Sequence, residues 1–565
     1  MKRTRMHPAV STGAPSLEEA WASIDWAQAT RQVTNLRQRI FRATQRREWQ
    51  QVRDLQKLLL RSYANYVLSV RQVTQVNAGR RTPGVDGRVV ETAAQRMRLV
   101  RQLQVDPPYR ARPVRRVYIP KSDGSGRLRP LGIPTLADRV RQHVVKTALE
   151  PSWEARFEPC SYGFRPGRST HDAIEHLFNR CRATLPNEWV LDADIRGAYD
   201  HINHEFLLRH LEHFPARRQI EQWLKAGYVE SGALHATDEG APQGAICSPV
   251  LANIALDGLG AVLQRLKLPS GRGQLHLVRY CDDFVVAAPR RDLLEDALPH
   301  ISTWLAERGL ELHPEKTRIV HVDQGFPFLG FHLRRYKGKL LIKPRTEKVL
   351  AKLRDWTKWL NGHKAIAADA VIQYLNPRGR NWAAYSQHAV SKRTFDYVEH
   401  RLVQILWRWA KRRHPTKGRR WVKDRYFQAV GGRHWVVAAT TKDRRGRRRL
   451  LTLFQVADTP IVRHIKVQGE ASPDDPRLRS YWEARHRLRR LRDRTRPPSH
   501  QALMTRQAGR CPVCRTDLFN GEPLDVHHRR RLADGGTNEL NNLVVCHEAC
   551  HHHVHGPGQQ QRQRL

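Results

Sequence analysis

A chain of 565 residues with 40% apolar content is too long for a single core and apolar enough to fold as several. Its formal net charge of +45 implies a polyanionic partner, and nucleic acid is the one expected. No apolar run is long enough to span a bilayer, and no h-region of a secretory signal follows the basic start. Of the eight cysteines, Cys511, Cys514, Cys546 and Cys550 cluster while the rest scatter, which argues against a disulfide framework and for metal ligation in a reducing compartment.

In chain order, residues 16–78 are polar and nearly free of Pro and Gly, with Val52, Leu55, Leu58 and Leu59 at helical spacing. The stretch NAGRRTPGVDG (77–87) breaks that pattern. From about 88 to 340, helical and strand-like segments alternate as in an α+β domain. Within it, WVLDADIRGAYDHI starts as a strand whose alternation puts Asp192 and Asp194 on one face. HLVRYCDDFVVAAP (276–289) reads as strand, corner, strand, with Asp282 and Asp283 at the corner. Adjacent carboxylates among apolar neighbours repel and are costly to desolvate, so they need a divalent metal or an exposed hairpin tip. With Asp192 or Asp194 opposite them, two Mg²⁺ ions about 3.5–4 Å apart become feasible for in-line phosphoryl transfer.

Residues 345–430 return to helix, with Val349, Leu353, Trp356 and Leu360 on one face and Phe395, Val398, Leu402, Ile405 and Trp409 on another. Residues 401–500 hold 28 Lys and Arg against 8 Asp and Glu, interleaved with Trp and Tyr, which predicts nucleic-acid contact. RTRPPSHQ reads as a linker. Beyond it, the CxxC followed about 30 residues later by a second Cys/His group is a zinc signal. The spacing favours Cys511, Cys514, His547 and Cys550, with Cys546 as the rival to His547.

These blocks in this order resemble the reverse transcriptase–maturases encoded by group II introns. The blocks are YIPKSDGSGRLRPLGIPT (118–135), SYGFRPGRSTHDAI (161–174), LDADIRGAYDHI (191–202), GAPQGAICSPVLANIAL (240–256), RYCDDF, LELHPEKTRIV (310–320) and FPFLGF (326–331). The resemblance implies Asp194 and Asp282 as the main Mg²⁺ pair, with Asp283 supporting and Asp192 structural. It implies Lys121 and Arg129 as fingers residues gripping the triphosphate, Tyr199 as the ring that rejects a ribose 2′-hydroxyl, and Gln243 against the incoming nucleotide. Cys281 stands where the family most often has Ala and is expected only to fill space. IQYLNPRGRNWAAY (372–385) is similar to the maturase signature, which implies Trp382 and Tyr385 in intron-RNA contact.

The tail LDVHHRRRLADGG…NELNNLVVCHEACHHHVH resembles the HNH, or ββα-metal, nuclease motif. That resemblance implies His528 as general base, His527 and His551 as ligands of a divalent ion (Mg²⁺ expected), and Asn542 as the brace of the loop that orients His528. His555 would support from the same helix face.

The architecture expected is α+β and multidomain. It comprises a helical N-terminal extension (1–78), fingers and palm of a right-hand polymerase (79–344), an α-helical thumb or maturase X domain (345–430), a basic DNA-binding domain (431–505) and a ββα-metal HNH domain with structural Zn²⁺ (506–565). The function implied is RNA-directed DNA synthesis, maturase assistance to splicing, and second-strand cleavage of target DNA. The alternatives are a reverse transcriptase in a host-adapted or defence role and a splicing-only RNA chaperone. Partners implied are intron RNA, double-stranded target DNA and dNTPs, with a second copy of the chain as a further candidate and no membrane, in the bacterial cytoplasm or nucleoid or in an organelle.

Overall fold

The computed structural model describes residues 15–105, 109–120, 126–182, 184–185, 187–267, 274–442, 448–492, 498–520 and 522–554. It opens on helices. Leu17–Ala22 starts in a capping box between Ser16 and Glu19, and Trp26–Gln45 starts on the Asp25 side chain, which accepts from Gln28 N at 2.9 Å. Trp26, Ala29, Val33 and Ile40 recur at helical spacing and are buried against Trp49–Arg61, Tyr63–Arg71 and Leu136–Glu154. In Trp49–Arg61 the inward stripe is Val52, Leu55 and Leu59, while Leu58 points to solvent.

The palm is a four-stranded antiparallel sheet in the order His276–Tyr280, Asp283–Ala288, Trp189–Asp194, Arg318–His321. Both faces are covered, which is why its strands read as nearly unbroken apolar runs. Val190, Val278, Val285 and Ala287 share a core with Ile174 and Leu177 of the helix Thr170–Cys181. Leu191, Phe284, Val286 and Ala288 face the other way and join Leu293, Leu294, Ala297 and Ile301 of Arg291–Ala306. Period-two alternation divides the strands between two cores. The fingers sheet runs Leu128–Ile133, Val114–Pro120, Tyr228–Glu230, Ala233–His235.

The thumb helices Thr346–Gly362, Ala368–Ser386 and Lys392–Arg413 bury the stripes expected of them, including Val349, Leu353, Trp356, Leu360, Val398, Leu402, Ile405 and Trp409. The basic stretch 431–505 divides among three neighbours. Arg433–Lys442 and Arg448–Thr452 form a sheet with Phe427–Val430, and Val437 and Leu453 enter the thumb core. Residues 462–486 strap across the palm, where the buried Asp172 carboxylate meets His464 (2.9 Å), Arg485 (2.9 Å) and the Val467 backbone N–H (2.7 Å). Farther along the strap, Asp474 pairs with Arg37 of the N-terminal helices at 2.7 Å. Pro498–Arg506 then packs on the last strand, Leu543–His547. Among the described residues no helix is long and apolar enough to cross a membrane.

Candidate active sites of the palm and the Cys/His module

Tyr280 pairs with Asp283 across the palm hairpin, so only Cys281 and Asp282 make its turn. Two-residue hairpin turns need a positive φ, a conformation that favours glycine; here Cys281 adopts it at φ 59°. Strain of this kind is commonly stored at functional sites. On the neighbouring strand Asp194 stands directly opposite Asp283. Asp194, Asp282 and Asp283 thus meet at one end of two adjacent strands. Asp192, two residues back on the same face, is engaged instead by Arg318 at 3.3 Å.

The site's electrostatics favour a cation. Desolvation, followed by the charges of Asp282, Asp194 and Asp192, pushes the Asp283 carboxyl up to about 7, and Asp282 is raised as well, by burial first. Asp283 is exposed, so the crowding of like charges is the part of that rise a bound cation relieves. The Lys316 ammonium sits 2.6 Å from Asp194 Oδ2, standing where positive charge is called for. Its loop is held alongside by the His313 N–H, which donates to the Asp194 carbonyl at 2.7 Å. An all-oxygen carboxylate set suits Mg²⁺.

The turn has a built support. Arg279 is fully buried and donates to Asn253 Oδ1 (3.1 Å) and to the Cys281 carbonyl (3.2 Å), while Asn253 donates to the Gly163 carbonyl at 2.7 Å. Gly163 lies so close that a Cβ there would be 2.4 Å from Cys281 N and 2.8 Å from the Tyr280 carbonyl carbon. Cys281 is more than a filler, because its Sγ lies 3.0 Å from the Tyr199 hydroxyl. Tyr199 in turn is fixed by the Ala241 N–H, which donates to its carbonyl at 2.6 Å. Gln243 follows in the same loop, its Nε2 3.4 Å from Asp200 Oδ1. Arg129 is exposed on the fingers strand opposite Ile119. Lys121 and His555 lie outside the described residues.

In the tail, Leu524–His528 and Leu543–His547 pair antiparallel, and the helix Glu548–Val554 follows. Cys511, Cys514, His547 and Cys550 are all buried, with ligand atoms within 4.8 Å of one another. Cys546 alternates away from this group and pairs in register with Asp525. His547 Nε2 lies 3.1 Å from the Asp517 carbonyl and Nδ1 3.3 Å from Cys514 Sγ. This orients the imidazole as a ligand whose other nitrogen is held by a carbonyl. Three sulfurs and one imidazole nitrogen in a closed cluster suit Zn²⁺.

The nuclease-like residues occupy the other end of the same unit. His527 and His551 approach with ring centroids 5.3 Å apart. Asn542 clamps the loop, accepting from Arg530 N at 2.8 Å and donating to the carbonyls of Arg530 (3.0 Å) and Thr537 (2.7 Å). Two partners escaped the sequence reading: Asn538 Oδ1 is 2.8 Å from His528 Nε2, and Asp525 is 2.6 Å from His551 Nδ1. Acids and amides are too common in loops for sequence alone to single these out.

The thumb changes one expectation. Tyr385 stacks on Phe331 and donates to the Leu329 carbonyl at 2.7 Å, so it joins palm and thumb while staying partly exposed, and Trp382 packs edge-on against Phe395. Aromatic faces also reach solvent at Trp421 and Trp435, with Lys417 and Lys423 over their rings.

Comparison with known proteins finds four family models along the chain. Residues 21–103 match the N-terminal domain of reverse transcriptase, 119–333 the reverse transcriptase (RNA-dependent DNA polymerase), 346–427 the group II intron maturase-specific domain, and 511–556 the HNH endonuclease. Protein YkfC of Escherichia coli is 34% identical over 327 residues, 50% of this chain and 84% of YkfC. Group II intron-encoded protein LtrA of Lactococcus lactis is 30% identical over 350 residues, 50% of this chain and 56% of LtrA. Maturase-like protein 1 of Euglena gracilis is 26% identical over 64% of this chain and 77% of its own length.

Proposed function

The chain belongs to the group II intron-encoded reverse transcriptases, and from that premise we propose a division of labour among its residues. It carries the domains of an RNA-directed DNA polymerase, a maturase and an HNH endonuclease. The pairing of Asp194 with Asp283 across two strands, with Asp282 in the connecting turn, is the observation that carries the polymerase reading. In that reading Asp194 and Asp282 hold two Mg²⁺ ions and Asp283 assists. Two Mg²⁺ ions held there would supply the positive charge that activates a primer 3′-hydroxyl and offsets the triphosphate.

The chain's own groups do the rest. Arg129 and Lys121 offset the triphosphate charge from the fingers side. Gln243 orients the incoming nucleotide, and the Tyr199 ring occupies the space a ribose 2′-hydroxyl needs. Arg279 and Asn253 hold the turn that presents Asp282. On the thumb, Trp421, Trp435, Lys417 and Lys423 offer stacking and phosphate contacts to intron RNA.

In the nuclease, His528 takes a proton from water, a task suited to a neutral imidazole, with Asn538 holding its Nε2. His527 and His551 hold the divalent ion, Asp525 orients His551, and Asn542 keeps the loop closed. Cys511, Cys514, His547 and Cys550 hold Zn²⁺. The maturase and nuclease matches on one chain favour this multifunctional reading over a splicing-only role. The test is a target-primed assay with the intron ribonucleoprotein. Asp282→Asn should abolish cDNA and leave both strand cuts, while His528→Ala should abolish second-strand cleavage and leave primer extension on a pre-nicked target. Loss of both activities in either variant would contradict two separate sites.

A further inference from the structure

The Cys511/Cys514/His547/Cys550 cluster does not face only its own module. Arg71, the last residue of the helix Tyr63–Arg71, reaches it from the N-terminal helices, and its guanidinium donates to Cys550 Sγ at 2.9 Å. Arg71 is only 6% exposed, so its charge needs a buried counterpart. Glu522, 3.5 Å away and also from the nuclease module, supplies part of it. The cluster supplies the rest: three thiolates and one neutral imidazole around a divalent zinc carry a net charge of minus one by formal arithmetic.

The contacts around Arg71 make this a joint rather than an isolated bond. Its guanidinium lies over the Trp26 ring at 4.9 Å, and Trp26 meets His553 of the nuclease helix edge-on, ring centroids 5.6 Å apart. Arg80 approaches Glu548 at 3.9 Å. Cys511, Cys514, Cys550, Leu518 and Val545 belong to the same continuous core as Val33, Leu59 and Val70 of the N-terminal helices.

We infer that the zinc cluster is also a docking element, clasped by Arg71, which fixes the nuclease on the N-terminal layer of the polymerase only while zinc is bound. Without zinc nothing ties the four ligand side chains to one another, and the surface on which the Arg71 guanidinium sits is no longer held together. Arg71 then keeps only Glu522 as a counterpart, and the clasp opens. The inference rests on the zinc reading above, and adds that a residue more than 400 positions upstream reads the metal's presence.

The test is hydrogen–deuterium exchange of the full chain, with zinc content measured alongside. Removing zinc from the wild-type protein with a chelator should speed exchange of the Tyr63–Val76 segment tenfold or more, with the palm strands unchanged. Arg71→Gln should give the same change with one zinc per chain still bound, and Arg71→Lys, which keeps the charge but not the fork, an intermediate one. Unchanged protection of Tyr63–Val76 after zinc is stripped from the wild type would overturn the inference and leave the zinc reading intact. Absence of zinc from the purified protein would overturn both.

Discussion

Gly163→Ala is the sharpest perturbation of the polymerase site that leaves its chemistry untouched. Gly163 does not occupy the positive-φ region, so alanine suits its backbone, and the only change is a methyl group aimed at the turn. That methyl would lie 2.4 Å from Cys281 N, against an ordinary contact of about 3.5 Å between non-bonded heavy atoms. The neighbour is backbone and cannot rotate away, so the turn bearing Asp282 must move by about 1 Å, a displacement that can cost on the order of 10²-fold in rate. The stability cost should be that of overpacking, about 1–3 kcal/mol. Single-nucleotide primer extension under saturating Mg²⁺ should therefore show kcat down about 100-fold, with second-strand nicking at the wild-type rate. A variant within threefold of wild type would refute the claim that Gly163 sets the position of the turn.

Tyr199→Val should relax discrimination against ribonucleotides by about 10- to 200-fold in relative kcat/KM, while Tyr199→Phe should leave it nearly intact; equal discrimination in all three proteins would remove Tyr199 from that role. Cys514→Ser should abolish zinc binding and nicking, whereas Cys546→Ser should keep one zinc per chain as measured by metal analysis. Burial pushes His143, His171 and His176 each down to about 3. Their folded pKa lies below the unfolded value of about 6.5, so their contribution is intact above that pH and declines by about 1.4 kcal/mol per unit and per histidine as pH falls toward 3. Denaturant midpoints between about pH 6.5 and 4.5 should show this slope, reduced by one proton in His143→Gln; an identical slope in the variant would contradict the assignment.

Much of the site was legible in the sequence because its residues travel in contiguous blocks whose spacing is set by strands and tight turns. Asp282 and Asp283 announce themselves by the cost of placing two acids beside apolar strands, and the CxxC pair by ligand spacing. What stayed hidden depends on chain segments that only the fold brings together. Gly163 and Arg279 support the turn across a parallel bridge between Ser161 and Arg279 that no local pattern encodes. Arg71 looks like one more surface arginine until Cys550 is placed beside it. By residue type alone Cys281 reads as a filler and Tyr385 as a stacking platform, because their partners Tyr199 and Phe331 lie on other elements. The basic stretch 431–505 reads as one domain by charge, yet apolar residues within it, such as Val437 and Leu453, belong to the thumb core.

The most direct measurement is primer extension on an RNA template with Mg²⁺, comparing the wild-type chain with Asp194→Asn, which keeps the side chain's size while removing one charge from the metal pair. The account predicts a fall of roughly a thousandfold or more in extension rate, with folding, RNA binding and second-strand nicking preserved. Extension at the wild-type rate by Asp194→Asn would contradict it.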